Sequence, residues 1–271
     1  MVDLTVLISC KDKQGIIAST TNSVAENKGN IVYIDQHVDL HEQVFFMRIE
    51  CVFTHQESAL RFQEQFELGP VQDFQMDYEI TTHANKPVMA LMVSKYDHCL
   101  YDLLGRYRSG EMDVEIPLNI SNHKDLEPIA DAFKIPFYHI PVRSENKKEA
   151  EDQQLKLLHS HNVDFIVLAR YMQIVSKKFL TDFKNLVINI HHSFLPAFPG
   201  AKPYHSAYKR GVKVIGATSH YVTEYLDEGH IIEQDVVHVD HAHSIDDLII
   251  KGRDLEKIVL ARAIKNQLKR K

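Results

Sequence analysis

The residues Asp3-Leu-Thr-Val-Leu-Ile-Ser9 alternate between polar and apolar and then run apolar, which predicts a strand. After a turn at Asp12-Lys-Gln-Gly15, positions 16–27 take helical spacing, with Ile17, Thr21 and Val24 on one face, and Gly29-Asn30 stops the helix. Strands are predicted at 31–40 and 43–53, joined at His41-Glu42. A helix at 57–66 carries Leu60, Phe62 and Phe66 as its apolar positions, and a strand at 74–81 follows. The order is βαββαβ, a ferredoxin-like arrangement.

Residues 83–87, His-Ala-Asn-Lys-Pro, are polar and proline-terminated, and they place a domain boundary between 83 and 84. Beyond it the pattern alternates regularly. Strands are expected at 88–93, 114–120, 136–140 and 164–169, and helices at 96–108, 125–133 and 147–159, the last with Leu155, Leu157 and Leu158 inward. Such alternation predicts βαβ units, a parallel sheet and right-handed crossovers. Further strands are predicted at 186–190, 212–222 and 230–239, with Asp227-Glu228-Gly229 as the turn between the last two. Ser244, Ile245 and Asp246 carry a capping signal for a final helix reaching about Arg270. Its inner face is expected at Leu248, Ile249, Leu255, Ile258 and Val259, and its basic end suits the helix dipole. The fold class is therefore α/β. A ferredoxin-like domain spans 1–83, and a Rossmann-like, mostly parallel-sheet domain spans 84–271.

One strand departs from the hydrophobic rule. The apolar run 186–190 suits a strand buried on both faces, yet Asn189 and then His191 interrupt it. Residues two apart on a strand face the same way, so both polar groups enter one side of the sheet. Ser193, Pro196, Pro199 and Gly200 then open a loop, with 194–200 expected to shape a pocket wall. Ligands of open α/β sheets bind at the carboxyl ends of the strands. With Asp227 from the later turn, the set offers an amide donor and an imidazole for a developing oxyanion, and a carboxylate for a proton. It suits attack on an acyl or formyl carbonyl. No protein nucleophile is evident: Ser193 lacks a Gly-x-Ser-x-Gly elbow, and no cysteine is near in sequence.

Composition narrows the choice. The 271 residues are 44% hydrophobic and 25% charged, values of a soluble globular chain, and the net charge of −6 disfavours nucleic-acid or anionic-membrane partners. Three cysteines, Cys10, Cys51 and Cys99, fit a reducing compartment without a disulfide framework. No secretory leader is seen and no stretch is apolar enough to span a bilayer, so a cytoplasmic location is expected. The 17 histidines raise the question of metal. His238, Asp240, His241 and His243 are dense in ligand types, but no H-E-x-x-H helix accompanies them, and a solvated or locally hydrogen-bonded loop is the preferred reading. No metal or other cofactor is expected.

Two sets of motifs carry a resemblance. Asp12-Lys-Gln-Gly15-Ile-Ile-Ala18 followed by Gly29-Asn-Ile31 resembles the start of ACT domains. That likeness implies a regulatory or oligomerising module, with an amino-acid effector such as glycine or methionine, or one that only dimerises. Asn189-Ile-His191, Ser193-Phe-Leu-Pro196 and Leu226-Asp-Glu-Gly229 resemble the signature of folate-dependent formyltransferases. The fuller string 191–200, the segment Ser94-Lys-Tyr-Asp-His-Cys-Leu100 and the ACT-like front resemble the formyltetrahydrofolate deformylase family over nearly the whole chain.

The resemblance implies Asn189, His191 and Asp227 as catalytic residues and 10-formyltetrahydrofolate as substrate. It implies a pterin slot along 169–176 with Met172, Gln173, Ile174 and Val175, although spacing alone reads these apolar side chains as core. Gln173 stands where a related transferase has a basic residue. His220 is implied as a further polar site residue. His192 faces away from its neighbours on the strand and is either structural or reaches the water from the loop. The first strand of the second domain runs into Ser94-Lys-Tyr-Asp-His-Cys99, without the glycine-rich loop that would hold a phosphate. Water is then the acceptor, and formate, feeding purine biosynthesis, the product. A formyltransferase to an unphosphorylated amine and a purely regulatory protein stay open as alternatives. A homo-oligomer, dimer or tetramer, is implied as well.

Overall fold

The computed structural model describes residues 1–82, 86–184, 186–197 and 203–269. Of the expected features, His83, Ala84 and Asn85 of the linker, 198–200 of the loop, and Arg270 lie outside the described residues. The chain divides into two compact units, Met1–Lys86 and Pro87–Lys271.

In the first unit, β1 (Val2–Lys11), α1 (Ile16–Glu26), β2 (Gly29–Asp39), β3 (Val44–Phe53), α2 (Gln56–Phe66), a short α3 (Gln72–Phe74) and β4 (Asp77–Thr82) follow in order. The sheet is antiparallel with order β2-β3-β1-β4, the predicted ferredoxin-like arrangement. Alternate side chains of β1 (Leu4, Val6, Ile8) and β3 (Phe45, Met47, Ile49, Cys51, Phe53) form one buried face. Phe53, Phe62 and Phe66 stack on that face.

Two faces differ from expectation. α1 buries Ile16, Thr20, Ser23 and Val24, while Ile17 is exposed. The reason is that Gly15, at φ 98°, turns the chain so that Ile16 already points inward. Leu60 of α2 is also exposed. Residues 67–71, with Pro70 inside, continue α2 as a wider π turn, so β4 begins later than 74.

The second unit comprises β5 (Met89–Val93), α4 (His98–Arg108), β6 (Asn119–Ser121), α5 (Glu127–Ala132), β7 (Phe137–His139), α6 (Lys147–Ser160), β8 (Phe165–Leu168), α7 (Lys177–Asp182), β9 (Val187–His191), α8 (Pro203–Arg210), β10 (Val214–Tyr221), β11 (Ile231–His238) and α9 (Ile245–Leu268). The strand order is β11-β10-β9-β8-β5-β6-β7. β5 to β9 are mutually parallel, whereas β10 pairs antiparallel with β9 and β11 antiparallel with β10.

β5 is buried along its whole length. Met89, Leu91 and Val93 join the core that contains α4 and α9 residues, and Ala90 and Met92 join the core with α6 and α7 on the other face. The strand expected over 114–120 shortens to β6 plus a single bridge from Glu115 to Val88. Pro117 lacks the N–H that a continuous ladder needs. α7 and α8 had no counterpart in the sequence pattern. Ile258 of α9 is exposed while Glu256 is buried in its place.

Strand order reverses between β5 and β8, since β6 and β7 lie on one side of β5 and β8 and β9 on the other. This switch point is where a crevice opens beyond the carboxyl ends of the strands.

Candidate active site

Three segments converge on that crevice. The first is the irregular stretch after β8. It has no ladder of its own and is held by side chains from elsewhere. Ser94, just past β5, accepts the Met172 N–H at 3.0 Å and donates to Asn122 Oδ1 at 2.6 Å. Gln154 donates to the buried Tyr171 hydroxyl at 3.0 Å, and Glu151 accepts the Ser176 N–H at 2.9 Å. Ser176 then caps α7 by accepting the Phe179 N–H. So pinned, the stretch presents Met172 and Ile174 at 49% and 64% exposure, whereas Val175 is buried. The first two are not core, and Gln173 lies on the same wall.

The second segment is the end of β9. Asn189 and His191 both face the crevice, as their spacing required. β10 pairs antiparallel with β9, which sets His220 directly opposite Asn189. A bulge between Ser219 and His220 re-aims the histidine. His220 Nδ1 donates to the Tyr221 carbonyl at 2.9 Å, which leaves Nε2 facing the crevice. That Nε2 lies 3.3 Å from Asn189 Nδ2 and 3.5 Å from Asp227 Oδ1. The neutral ring accepts one amide N–H and leaves the second free, while the charged ring donates to Asp227.

The third segment is the turn after β10. Asp227 sits at φ 58°, a left-handed conformation that Asp and Asn adopt more readily than most residues. Its Oδ2 is 3.3 Å from His191 Nδ1. Gly229 closes the turn, and a Cβ there would come 1.6 Å from the Tyr221 carbonyl oxygen.

These walls enclose a cavity of about 500 Å³, lined by 170–175, 189–192, His220 and 222–227. Electrostatics within it are set by burial and by the carboxylate. Hydrogen bonding from His220 holds the Asp227 carboxyl below the usual carboxylate range against the opposing effect of burial. Burial pushes the His191 imidazole down, more than Asp227 raises it. At neutral pH the pair is a charged carboxylate beside a neutral imidazole. His191 Nε2 is buried with no hydrogen-bond partner among the described residues.

His192, left open by the sequence, is buried beyond the strand end with its ring 5.2 Å from His191 and 5.8 Å from Tyr204. It lines the same cavity.

Beside these lies a cluster that the sequence reading missed. Glu256 of α9, with its side chain 1% exposed, accepts the Tyr204 hydroxyl at 2.7 Å and pairs with His98 Nε2 at 2.9 Å. Arg170 Nε stands 3.4 Å from the same carboxylate, too poorly aligned to count as a hydrogen bond. The Arg170 guanidinium lies 5.0 Å over the Tyr96 ring. Arg170 has φ 63°, a conformation that costs a non-glycine residue about 1 kcal/mol. Gly252, in the middle of α9, is retained where alanine would favour the helix by about 1 kcal/mol. A Cβ there would meet the Tyr204 hydroxyl at 2.1 Å.

His98, Cys99 and Glu256 also form, among the described residues, the one group of ligand-type atoms within 4.8 Å of one another. Its chemistry does not suit a cation. Burial pushes the Cys99 thiol well above its ordinary value, and Glu256 is already committed to Tyr204, His98 and Arg170. In the His238–His243 stretch, Asp240 accepts the Ala242 N–H at 2.9 Å and pairs with His243 at 2.8 Å, a locally hydrogen-bonded loop. All three cysteines are buried and free.

Comparison with known proteins agrees with this geometry. The Formyl transferase family matches residues 88–264. A formyltetrahydrofolate deformylase of Synechocystis is 49% identical over 268 residues, covering 97% of this chain and 93% of that protein. A crystal structure of a formyltetrahydrofolate deformylase from Pseudomonas syringae superposes with a TM-score of 0.93 at 45% identity, covering 100% of this chain and 91% of that one. Phosphoribosylglycinamide formyltransferase from Anaplasma phagocytophilum matches 68% of this chain and 87% of its own, with a TM-score of 0.63 at 31% identity. With its Asn, His and Asp gathered on one cavity of a formyltransferase fold, the chain belongs to the formyl transferase family and, within it, to the formyltetrahydrofolate deformylases.

Proposed function

We propose that the chain hydrolyses 10-formyltetrahydrofolate to tetrahydrofolate and formate, with Asn189, His191 and Asp227 as its catalytic residues. The observation that carries this is their juxtaposition in a cavity whose lining, among the described residues, holds neither serine nor cysteine. With neither serine nor cysteine there, the attacking group is assigned to water from solution. Asp97 at the N-terminal end of α4 places a carboxylate where a phosphorylated acceptor would need an electropositive helix end, which favours water.

Asp227 takes a proton from the water as its oxygen bonds to the formyl carbon. The second N–H of Asn189 and the Nδ1–H of His191 receive the oxyanion. At 3.3 Å that Nδ1–H is held loosely by Asp227 and can serve both. Breakage of the carbon–N10 bond then takes the proton from Asp227 to N10, and formic acid leaves as formate. Met172, Gln173, Ile174 and Val175 form one wall of the pterin slot, and His192 and His220 complete the site.

A pH series of formate release, with 10-formyltetrahydrofolate and no acceptor amine, tests this scheme. Activity requires charged Asp227 with a neutral His191 beside it, because an imidazolium 3.3 Å from the carboxylate would weaken it as a base. The rate is expected to rise with pH through the lowered His191 ionisation and to be level by neutrality. A rising limb centred above the ordinary imidazole value of about 6.5 would refute the assignment. Gly229→Ala is expected to move the Asp227 turn away from the Tyr221 carbonyl and to reduce turnover by about 10²-fold, the typical cost of a 1 Å misplacement. Circular dichroism checks that the fold persists.

The finer reading extends to the first unit. It is an ACT-type module taking glycine or methionine as effector and pairing to give a homo-oligomer. The exposed Val32, Tyr33 and Ile34 on the sheet-edge strand β2 support such pairing. The enzyme is placed in the cytoplasm, supplying formate for purine biosynthesis. Among the described residues no helix is long and apolar enough to cross a membrane.

A further inference from the structure

We infer that Arg170 is a specificity-determining residue, which fills the acceptor side of the site against Glu256 and so admits water but not an amine to the formyl carbon. The inference rests on the hydrolytic reading above and concerns how the second substrate is chosen.

Segments 171–175 and 222–227 form the long walls of the cavity, the place proposed above for the folate. Arg170, His191 and His192 line the same cavity, and theirs is the side assigned to the attacking group. Behind that side stands a closed set of charges. Arg170 joins Glu256, Glu256 joins Tyr204 and His98, and the Tyr204 ring abuts His192, which abuts His191. The set draws on the start of α4, the stretch after β8, the end of β9, and the helices α8 and α9, so it is assembled only in the finished fold.

Two features point to selection for the guanidinium itself. Arg170 keeps a left-handed φ of 63°, where glycine would be unstrained. Its guanidinium lies over the Tyr96 ring, which Arg253 also approaches at 5.7 Å, and its Nε stands 3.4 Å from a carboxylate that has almost no exposure to solvent. Arg170 lines the cavity while Tyr96 and Glu256 stand behind it, so replacing Arg170 by glycine would leave a space of guanidinium size between the cavity and those two residues. An aromatic face beside a carboxylate is a lining that binds ammonium and amine groups. The wild-type arginine occupies that space with its own cation.

In an Arg170→Gly variant, a small primary amine would take the vacated place. Its ammonium form would first give one proton to Glu256, freeing the nitrogen lone pair. The nitrogen would then bond to the formyl carbon as the carbon–N10 bond breaks. Its second proton would pass through Asp227 to N10, and Glu256 would return its proton to solvent. The products would be a formamide and tetrahydrofolate.

The test is a partition experiment. Purified wild type, Arg170→Gly and Tyr96→Ala are each given 10-formyltetrahydrofolate with and without glycinamide, and formate and N-formylglycinamide are both quantified. The wild type is expected to yield formate alone. Arg170→Gly is expected to raise the ratio of formylated amine to formate by at least roughly tenfold, the discrimination that one pocket contact carries. Adding Glu256→Gln to that variant should return the ratio to the wild-type level, and so should guanidinium chloride. Tyr96→Ala, which removes the exposed ring beneath the guanidinium groups of Arg170 and Arg253 but leaves Arg170 in place, should raise the ratio less. An Arg170→Gly protein that still releases formate yet makes no formylated amine overturns the inference. Should Arg170→Gly not fold, an unchanged ratio in Tyr96→Ala overturns it. A wild type that releases no formate without amine overturns the hydrolytic reading instead, so the two failures are distinct.

Discussion

Replacing Asp227 with asparagine is expected to lower formate release by about 10²–10⁴-fold, the usual contribution of a positioned general acid–base group. The substitution is isosteric, and asparagine tolerates the left-handed φ of 58° at this turn, so the backbone has no reason to move. What disappears is the negative charge between His191 and His220. The loss should therefore fall on kcat, with KM for the folate little changed, because the long walls of the cavity remain intact. Steady-state formate assays separate the two constants. A variant retaining near-normal kcat would remove Asp227 from the proton-transfer role.

Asn189→Ala has the second largest expected effect, about 10²–10³-fold in turnover, the typical cost of losing one oxyanion donor. The Asn189 backbone carbonyl accepts from Ser219 Oγ, and that contact does not involve the amide. β9 should therefore hold its register and the protein its fold. His220 would lose the amide that faces its Nε2, so some of the effect will come through reorientation of that ring. The double variant Asn189→Ala, His220→Ala measures this coupling: a loss smaller than the two single losses combined shows that the residues act as one unit.

The contrast between what the sequence disclosed and what it hid follows from the range of each interaction. Asn189 and His191 stand out because polar groups break an otherwise apolar strand, and period-two geometry puts them together without tertiary information. The αβ alternation of the second unit and the capping of α9 at Ser244 are equally local. The pairing of His220 with Asn189 is not local. It depends on β10 running antiparallel to β9, and on a bulge placed at Ser219 and His220. α7, six residues long, and α8, eight residues long, are too short for hydrophobic periodicity to register. Arg170 gave no sign because its left-handed φ is imposed by its surroundings against its own preference. Glu256 did leave a trace. It lies on the stripe of Leu248, Gly252 and Leu260, a carboxylate in the row of core positions, and that misfit marks a buried charge needing partners.

The pinning of the stretch after β8 has a thermodynamic consequence for the folate. Met172 and Ile174 meet water on a backbone already fixed by Ser94, while Gln154 and Glu151 hold its neighbours Tyr171 and Ser176. Docking the ligand therefore removes hydrated apolar surface without ordering a loop. The conformational entropy of this wall is lost once, during folding, and not again at each turnover. Binding should carry the negative heat-capacity change of apolar burial with little of the adverse entropy of coupled folding. If the pterin occupies this wall as proposed, its affinity is expected to follow the area those two side chains cover and to fall on cooling as hydrophobic association weakens.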